Sequence, residues 1–107
     1  MNTTQHRGKL IEIFMEKNSQ LNLSAIRNPE GIFVKHIQDS LEINEIIKIP
    51  AKSKILDVGT GSGFPLLPLA MTNPESQFTG IDSIGKKVRA INEMIDKLGL
   101  KNAHVER

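Results

Sequence analysis

Apolar residues recur along this chain with changing periods, and each period predicts an element. Over residues 7–17, Leu10, Ile11, Phe14 and Met15 share one helical face while Lys9, Glu12, Glu16 and Lys17 lie opposite. That is the pattern of an amphipathic helix, which Asn18, Ser19 and Gln20 bring to an end. Residues 21–26 alternate apolar and polar positions as a connecting segment. Asn28 before Pro29 marks a second helix start, with Asn28 as N-cap and Pro29 in the first helical position. This helix is expected to bury Phe33, Val34 and Ile37. Asp39 with Glu42 three residues on has the spacing of a capping box opening a further short helix to Ile47. Residues 49–53 form a linker.

The period then shortens. Residues 54–58 and 77–82 are apolar runs of strand length. Between them lies a helix from about Phe64 to Met71, with Pro65 in its first turn. Val88, Ile91, Ile95 and Leu98 recur at helical spacing over residues 86–98, and Gly99 suits the C-terminal cap. Residues 103–105 open a third strand. Strand, helix, strand, helix, strand predicts right-handed crossovers and a parallel sheet. The chain therefore divides into a helical lead-in, 1–53, and an α/β unit, 54–107. A ligand belongs at the carboxyl ends of the first two strands.

The residues there narrow its chemistry. Asp57-Val58-Gly59-Thr60-Gly61-Ser62-Gly63 follows the first strand, and Asp82, nineteen residues past Gly63, ends the second. Glycines let the backbone turn tightly and approach a ligand where a Cβ would collide. The dinucleotide fingerprint would need its third glycine at position 64, which is Phe64. The pattern is instead D-x-G-x-G-x-G. An acid two residues before the first glycine would repel a pyrophosphate. It suits a ligand with a positive group and no phosphate, as in S-adenosylmethionine, whose ribose diol Asp82 is placed to hold.

Composition adds mostly exclusions. There is no cysteine among the 107 residues, so disulfides, thiolate metal sites and cysteine nucleophiles are absent. His6, His36 and His104 have no metal-ligand spacing, and no metal is expected. His36, in a helical stretch, is expected to be a hydrogen-bonded structural residue. The first six residues lack the apolar run of a signal peptide, and no segment is long enough to span a bilayer, so a cytoplasmic protein is expected. The net charge is only +2 and is spread evenly over the two halves. Lys86, Lys87 and Arg89 form a short basic cluster, either a solvated helix face or an RNA contact.

Joined to its flanks, the glycine turn resembles a particular family. The carrying blocks are Asn22-Leu23-Ser24-Ala25-Ile26-Arg27-Asn28-Pro29, then His36-Ile37-Gln38-Asp39-Ser40-Leu41. They continue with Leu56 to Pro65, Pro68-Leu69-Ala70, Asp82-Ser83-Ile84-Gly85-Lys86-Lys87-Val88 and Leu98-Gly99-Leu100-Lys101-Asn102. From about Arg7 onward the chain resembles the bacterial small-subunit ribosomal RNA guanine-N7 methyltransferases, the RsmG family or glucose-inhibited division protein B. It departs from the family's usual pattern at Lys17, where tryptophan is usual, at Leu66, where glycine is, and at Gly80, where leucine is.

The resemblance implies a Rossmann-like class I S-adenosylmethionine-dependent methyltransferase fold, truncated after the start of the third strand. It implies methylation of guanine N7 in 16S ribosomal RNA of the 30S subunit, this chain carrying the cofactor-binding half. Gly59 and Phe64 would line the cofactor, with Gly61 and Gly63 opening the backbone. Asp57 would face the methionine amino end and Asp82 the ribose hydroxyls. For Phe64, core packing is an equal alternative. No residue is assigned as catalytic, and whether the chain acts alone stays open. A different class I methyltransferase or a non-catalytic fragment are the competing functions. With the family's fourth strand missing, Ile55, Leu56 and Val58 of strand one are expected to flank an unpaired edge through which chains self-associate.

Overall fold

Both short apolar runs pair side by side, as aliphatic and β-branched segments bounded by turn residues do. The structure, a computed structural model, describes residues 3–107; Met1, Asn2 and the side chains before Arg7, including that of His6, lie outside the described residues. Strand β1 (Lys54–Val58) runs parallel to β2 (Gln77–Ile81), and β2 parallel to β3 (Ala103–Glu106), in the spatial order β1-β2-β3. The helices are α1 (Thr3–Leu21), α2 (Pro29–Gly31), α3 (Asp39–Ile46), α4 (Leu66–Thr72) and α5 (Gly85–Leu98). A π-helical stretch, Ile32–Gln38, joins α2 to α3 without a break.

One sheet face carries Phe78 and Val105, both buried, with α4 packed on β2 and β3 and α5 on β3. Helix α1 packs on α5 and α3 on α4, so the lead-in adds an outer layer to the same side. Leu10 and Phe14 of α1, Ile32 and Ile37, Leu66 and Leu67, and Ile91, Met94 and Ile95 join one core. On the other sheet face Leu56 is 58% and Val58 73% exposed, and among the described residues β1 has a neighbour only in β2.

The lead-in departs from its predicted pattern in three places. First, α1 runs on to Leu21 instead of ending near Asn18. Asn18 is buried, accepts from the Ser24 amide and donates to the Ile26 carbonyl, so it anchors the next loop from inside the helix. Lys17, expected on the solvent side, is also buried, its ammonium paired with Glu93 of α5. The long apolar stem fills a core position while the charge reaches the surface. Second, Ile32 is core and Val34 is 46% exposed, the reverse of the expected burial. In π-helical backbone residues five apart stack, which puts Ile32 with Ile37. Third, Asp39 and Glu42 form no capping box, because Asp39 is helical (φ −60°, ψ −40°) and the helix passes straight through it. The Asn28 cap does form, its side chain accepting from the Gly31 amide with Pro29 in the first turn. Helix α4 begins at Leu66, so Pro65 is its flanking residue and not a member of its first turn.

The two departures at positions 66 and 80 meet in space. A Cβ on Gly80 would lie 3.2 Å from Leu66 Cδ2, 3.1 Å from Thr60 Cγ2 and 3.2 Å from Val105 Cγ2. The bulk of Leu66 thus occupies volume that a side chain at 80 would otherwise fill.

Candidate functional site

The β1 chain ends into a turn built from left-handed backbone. Gly59, Gly61 and Gly63 have φ of 73°, 57° and 94°. A Cβ on Gly59 would meet nothing within 4 Å, and one on Gly61 would meet only the Gly59 carbonyl at 3.7 Å. At these two positions the glycine answers to backbone conformation and leaves open space beside the chain. Gly63 carries a second constraint besides its backbone: its Cβ would lie 3.0 Å from Leu67 Cδ1 and 3.6 Å from Ile91 Cγ2, so it also serves close helix packing.

The turn is tied to β2 and to Asp82. The amides of Gly59 and Thr60 both donate to the Ile81 carbonyl, at 2.7 and 3.2 Å. Asp82 Oδ2 accepts from the Gly61 amide and Oδ1 from the Ile84 amide, each at 2.9 Å. Those amides, Ile84 first, with Lys87 nearby, hold its carboxyl below the usual range. Asp82 is thereby a clamp on the turn as well as a partly exposed acid beside it. The sequence suggested only the second role.

Asp57 has the opposite electrostatics. Burial raises its carboxyl above the ordinary value, against an opposing pull from the nearby Thr60 hydroxyl. The two side chains are near each other but do not reach hydrogen-bond geometry: Asp57 Oδ2 and Thr60 Oγ1 are both buried without a hydrogen-bond partner among the described residues. A buried unpaired carboxylate oxygen is costly. Its raised pKa makes the contribution to stability fully present below 3.8 and lost as pH rises through the folded value. Asp57→Asn should therefore raise the melting temperature of the free chain at pH 7, by an amount that shrinks toward zero below pH 4. Thermal melts of the two proteins across that range check this. An unchanged difference at all pH values would remove the charge as its cause.

Phe64 lies at the far end of the turn, in an aromatic cluster. Its ring stacks on His36 at 4.8 Å and 7°, and meets Phe14 edge-on at 5.0 Å. His36 Nε2 is 2.8 Å from Ser24 Oγ, and burial holds its pKa below the ordinary value against the opposing pull of Asp39. His36 is thus hydrogen-bonded as expected. That it reaches the glycine turn is not legible in a linear pattern, because the link runs through Phe64, in a part of the chain far from it. The same bond joins the two particular sequence blocks, Asn22 to Pro29 and His36 to Leu41. Among the described residues no three histidine or acidic groups cluster as a metal site, and no helix is long and apolar enough to cross a membrane.

Comparison with known proteins gives this geometry its context. A family profile described as rRNA small subunit methyltransferase G matches residues 4–107. A ribosomal RNA small subunit methyltransferase G of Desulforamulus reducens is 41% identical over 94% of this chain and 42% of its own length. The protein of that description from Psychromonas ingrahamii is 43% identical over 92% of this chain and 46% of its own. The chain thus spans about half the length of the curated relatives it matches. A solved SAM-dependent methyltransferase from Aquifex aeolicus superposes with a TM-score of 0.61 and 28% identity, over 87% of this chain and 46% of that one. Coclaurine N-methyltransferase, solved with N-methylheliamine and SAH, shares the fold with a TM-score of 0.61 at 23% identity, over 65% of this chain and 20% of its own. Helices on a parallel Rossmann-like sheet, read together with the profile match, place the chain in the rRNA small subunit methyltransferase G family.

Proposed function

We propose that this chain is the cofactor-binding half of an S-adenosylmethionine-dependent enzyme that methylates guanine N7 in 16S ribosomal RNA, working on the 30S subunit in the cytoplasm. The observation that carries the reading is Asp57. Its buried Oδ2 has no partner among the described residues, and it lies beside a glycine turn with open space at Gly59 and Gly61. A cofactor with a positively charged amino group fits a carboxylate in that state, and a pyrophosphate does not. Bound there, the cofactor supplies an activated methyl group on a sulfonium.

The chain's own residues bind and orient. Asp57 faces the amino end, through water or the turn amides. Asp82 accepts from the ribose hydroxyls with the lone pairs left by Gly61 and Ile84. Gly59 and Phe64 line the cofactor, and Gly61 and Gly63 let the backbone approach. Guanine N7 holds a lone pair and no proton, so its methylation needs no general base. The work left to the protein is alignment and exclusion of water. The hydrogen-bonded Ser24 and His36 beside Phe64 are therefore not needed as nucleophile or base, and we assign no catalytic residue.

Calorimetry with S-adenosylmethionine tests the site. Asp82→Ala removes a charged acceptor and should weaken binding about tenfold or more. Gly61→Val forces a β-branched residue into left-handed backbone and should weaken it at least as much. If both variants bind as the parent does, the site is elsewhere. A preference for NAD over S-adenosylmethionine would also end this reading.

A further inference from the structure

Beside the glycine turn, on the side of the helical lead-in, lies an open cleft of about 250 Å³. His36, Asp39, Ser40, Ile43, Phe64 and Pro65 form its walls, with Lys35 completing the lining. The backbone that carries His36 is π-helical, a geometry that is rare and concentrates at functional sites. Phe64 belongs to the segment that follows Gly63, so the cleft adjoins the turn that Asp82 clamps through the Gly61 amide. Asp39 is the one acid in the lining, and it makes no ion pair among the described residues.

We propose that this cleft seats the acceptor base and that the Asp39 carboxylate selects it, by accepting hydrogen bonds from two adjacent N–H groups on one edge. The proposal rests on the methyl-transfer function above. An ionised carboxylate only accepts. Guanine offers it N1–H and N2–H side by side. Adenine presents a ring acceptor next to its amino group, and uracil and cytosine each set one donor between or beside acceptors. N7 lies on the other side of the purine from that edge, free to point away from Asp39.

The charge balance agrees. The N7 lone pair forms the new bond to the methyl carbon, the carbon–sulfur pair returns to sulfur, and the positive charge passes from sulfonium to base with no proton released. A carboxylate at the far edge of the ring favours that charge as it develops, against the opposing Lys35 ammonium in the same lining. His36 does not oppose it, since burial favours the neutral imidazole. Stacked on Phe64, its flat ring offers an apolar wall of the kind on which bases rest.

The test is NMR titration of the full 107-residue chain with guanosine monophosphate and with adenosine monophosphate, each with and without S-adenosylhomocysteine. Guanosine monophosphate should shift the His36 and Asp39 signals and bind about tenfold more tightly than adenosine monophosphate, the order of one bidentate base contact. Asp39→Asn should erase that ratio, because its amide donor and acceptor match the adenine edge, while leaving the affinity for S-adenosylhomocysteine as it is. A merely structural Asp39 would not move the ratio. Equal binding of the two nucleotides by the parent, or an unchanged ratio in Asp39→Asn, overturns the proposal. If S-adenosylhomocysteine binds and the nucleotides are not distinguished, the base subsite falls and the cofactor site stands. If the nucleotides are distinguished and S-adenosylhomocysteine does not bind, the base subsite stands and the cofactor site falls.

Discussion

Gly80→Leu alone should destabilise the chain by about 3 kcal/mol, the upper range for overpacking a well-filled site. Its Cβ alone would stand 3.1–3.2 Å from Thr60, Leu66 and Val105, and three further carbons have to follow it. None of the three neighbours retreats easily, because Leu66, Thr60 and Val105 are all buried. Leu66→Gly alone should cost about 3–5 kcal/mol, from a lost buried side chain and its cavity plus the poor helix propensity of glycine. The double variant moves the bulk from one side of the contact to the other. It should be better than the sum of the singles by about 1–3 kcal/mol, a coupling typical of residues in contact. Urea or thermal unfolding of all four proteins measures the cycle. Strict additivity would mean that the two positions do not share one volume.

That pair shows why some of the fold was legible in the sequence and some was not. The strands and the parallel order followed from short apolar runs punctuated by glycine and proline, and α5 from its 3-4 spacing. Those signals are local. Leu66 and Gly80 each looked like an isolated departure, since nothing in a linear pattern says that they touch across the sheet–helix contact. Lys17 was placed in solvent for a similar reason. Its charge outweighs its stem in any periodicity argument, and its partner Glu93 lies in another helix. Around Val34 the error had a different source. A period of 3.6 joins Val34 to Ile37, whereas at the wider π spacing Ile32 lies over the buried Ile37 and Val34 turns outward.

The site divides in the same way. Asp57, the three glycines and Asp82 lie within one strand-turn-helix-strand unit, and their spacing announced a ligand. What each does beyond that is set by the folded geometry: Asp82 clamps the Gly61 amide, Gly63 answers to Leu67 and Ile91, and Asp57 Oδ2 is left unpaired among the described residues. The His36–Phe64 stack was invisible because it joins the lead-in to the turn through packing alone.

The bare side of β1 should make the isolated chain self-associate. Leu56 and Val58 stand 58% and 73% exposed on a sheet face with no layer over it among the described residues. The free edge of β1 adds a row of unpaired amides and carbonyls, and neither a proline nor a bulge interrupts Lys54–Val58. Such edges are templates for a second strand, and apolar surface next to one adds a driving force that salt does not screen. A second copy of the chain brings the same edge and the same face, so one contact buries both. The mean mass by light scattering should rise with concentration through the micromolar range and keep rising in high salt. Val58→Lys places a charge on the exposed face, where it costs the folded chain little, and should shift that rise to higher concentration. A parent chain that stays monomeric at high micromolar concentration, with cooperative unfolding, would show that the β1 edge is closed in some other way.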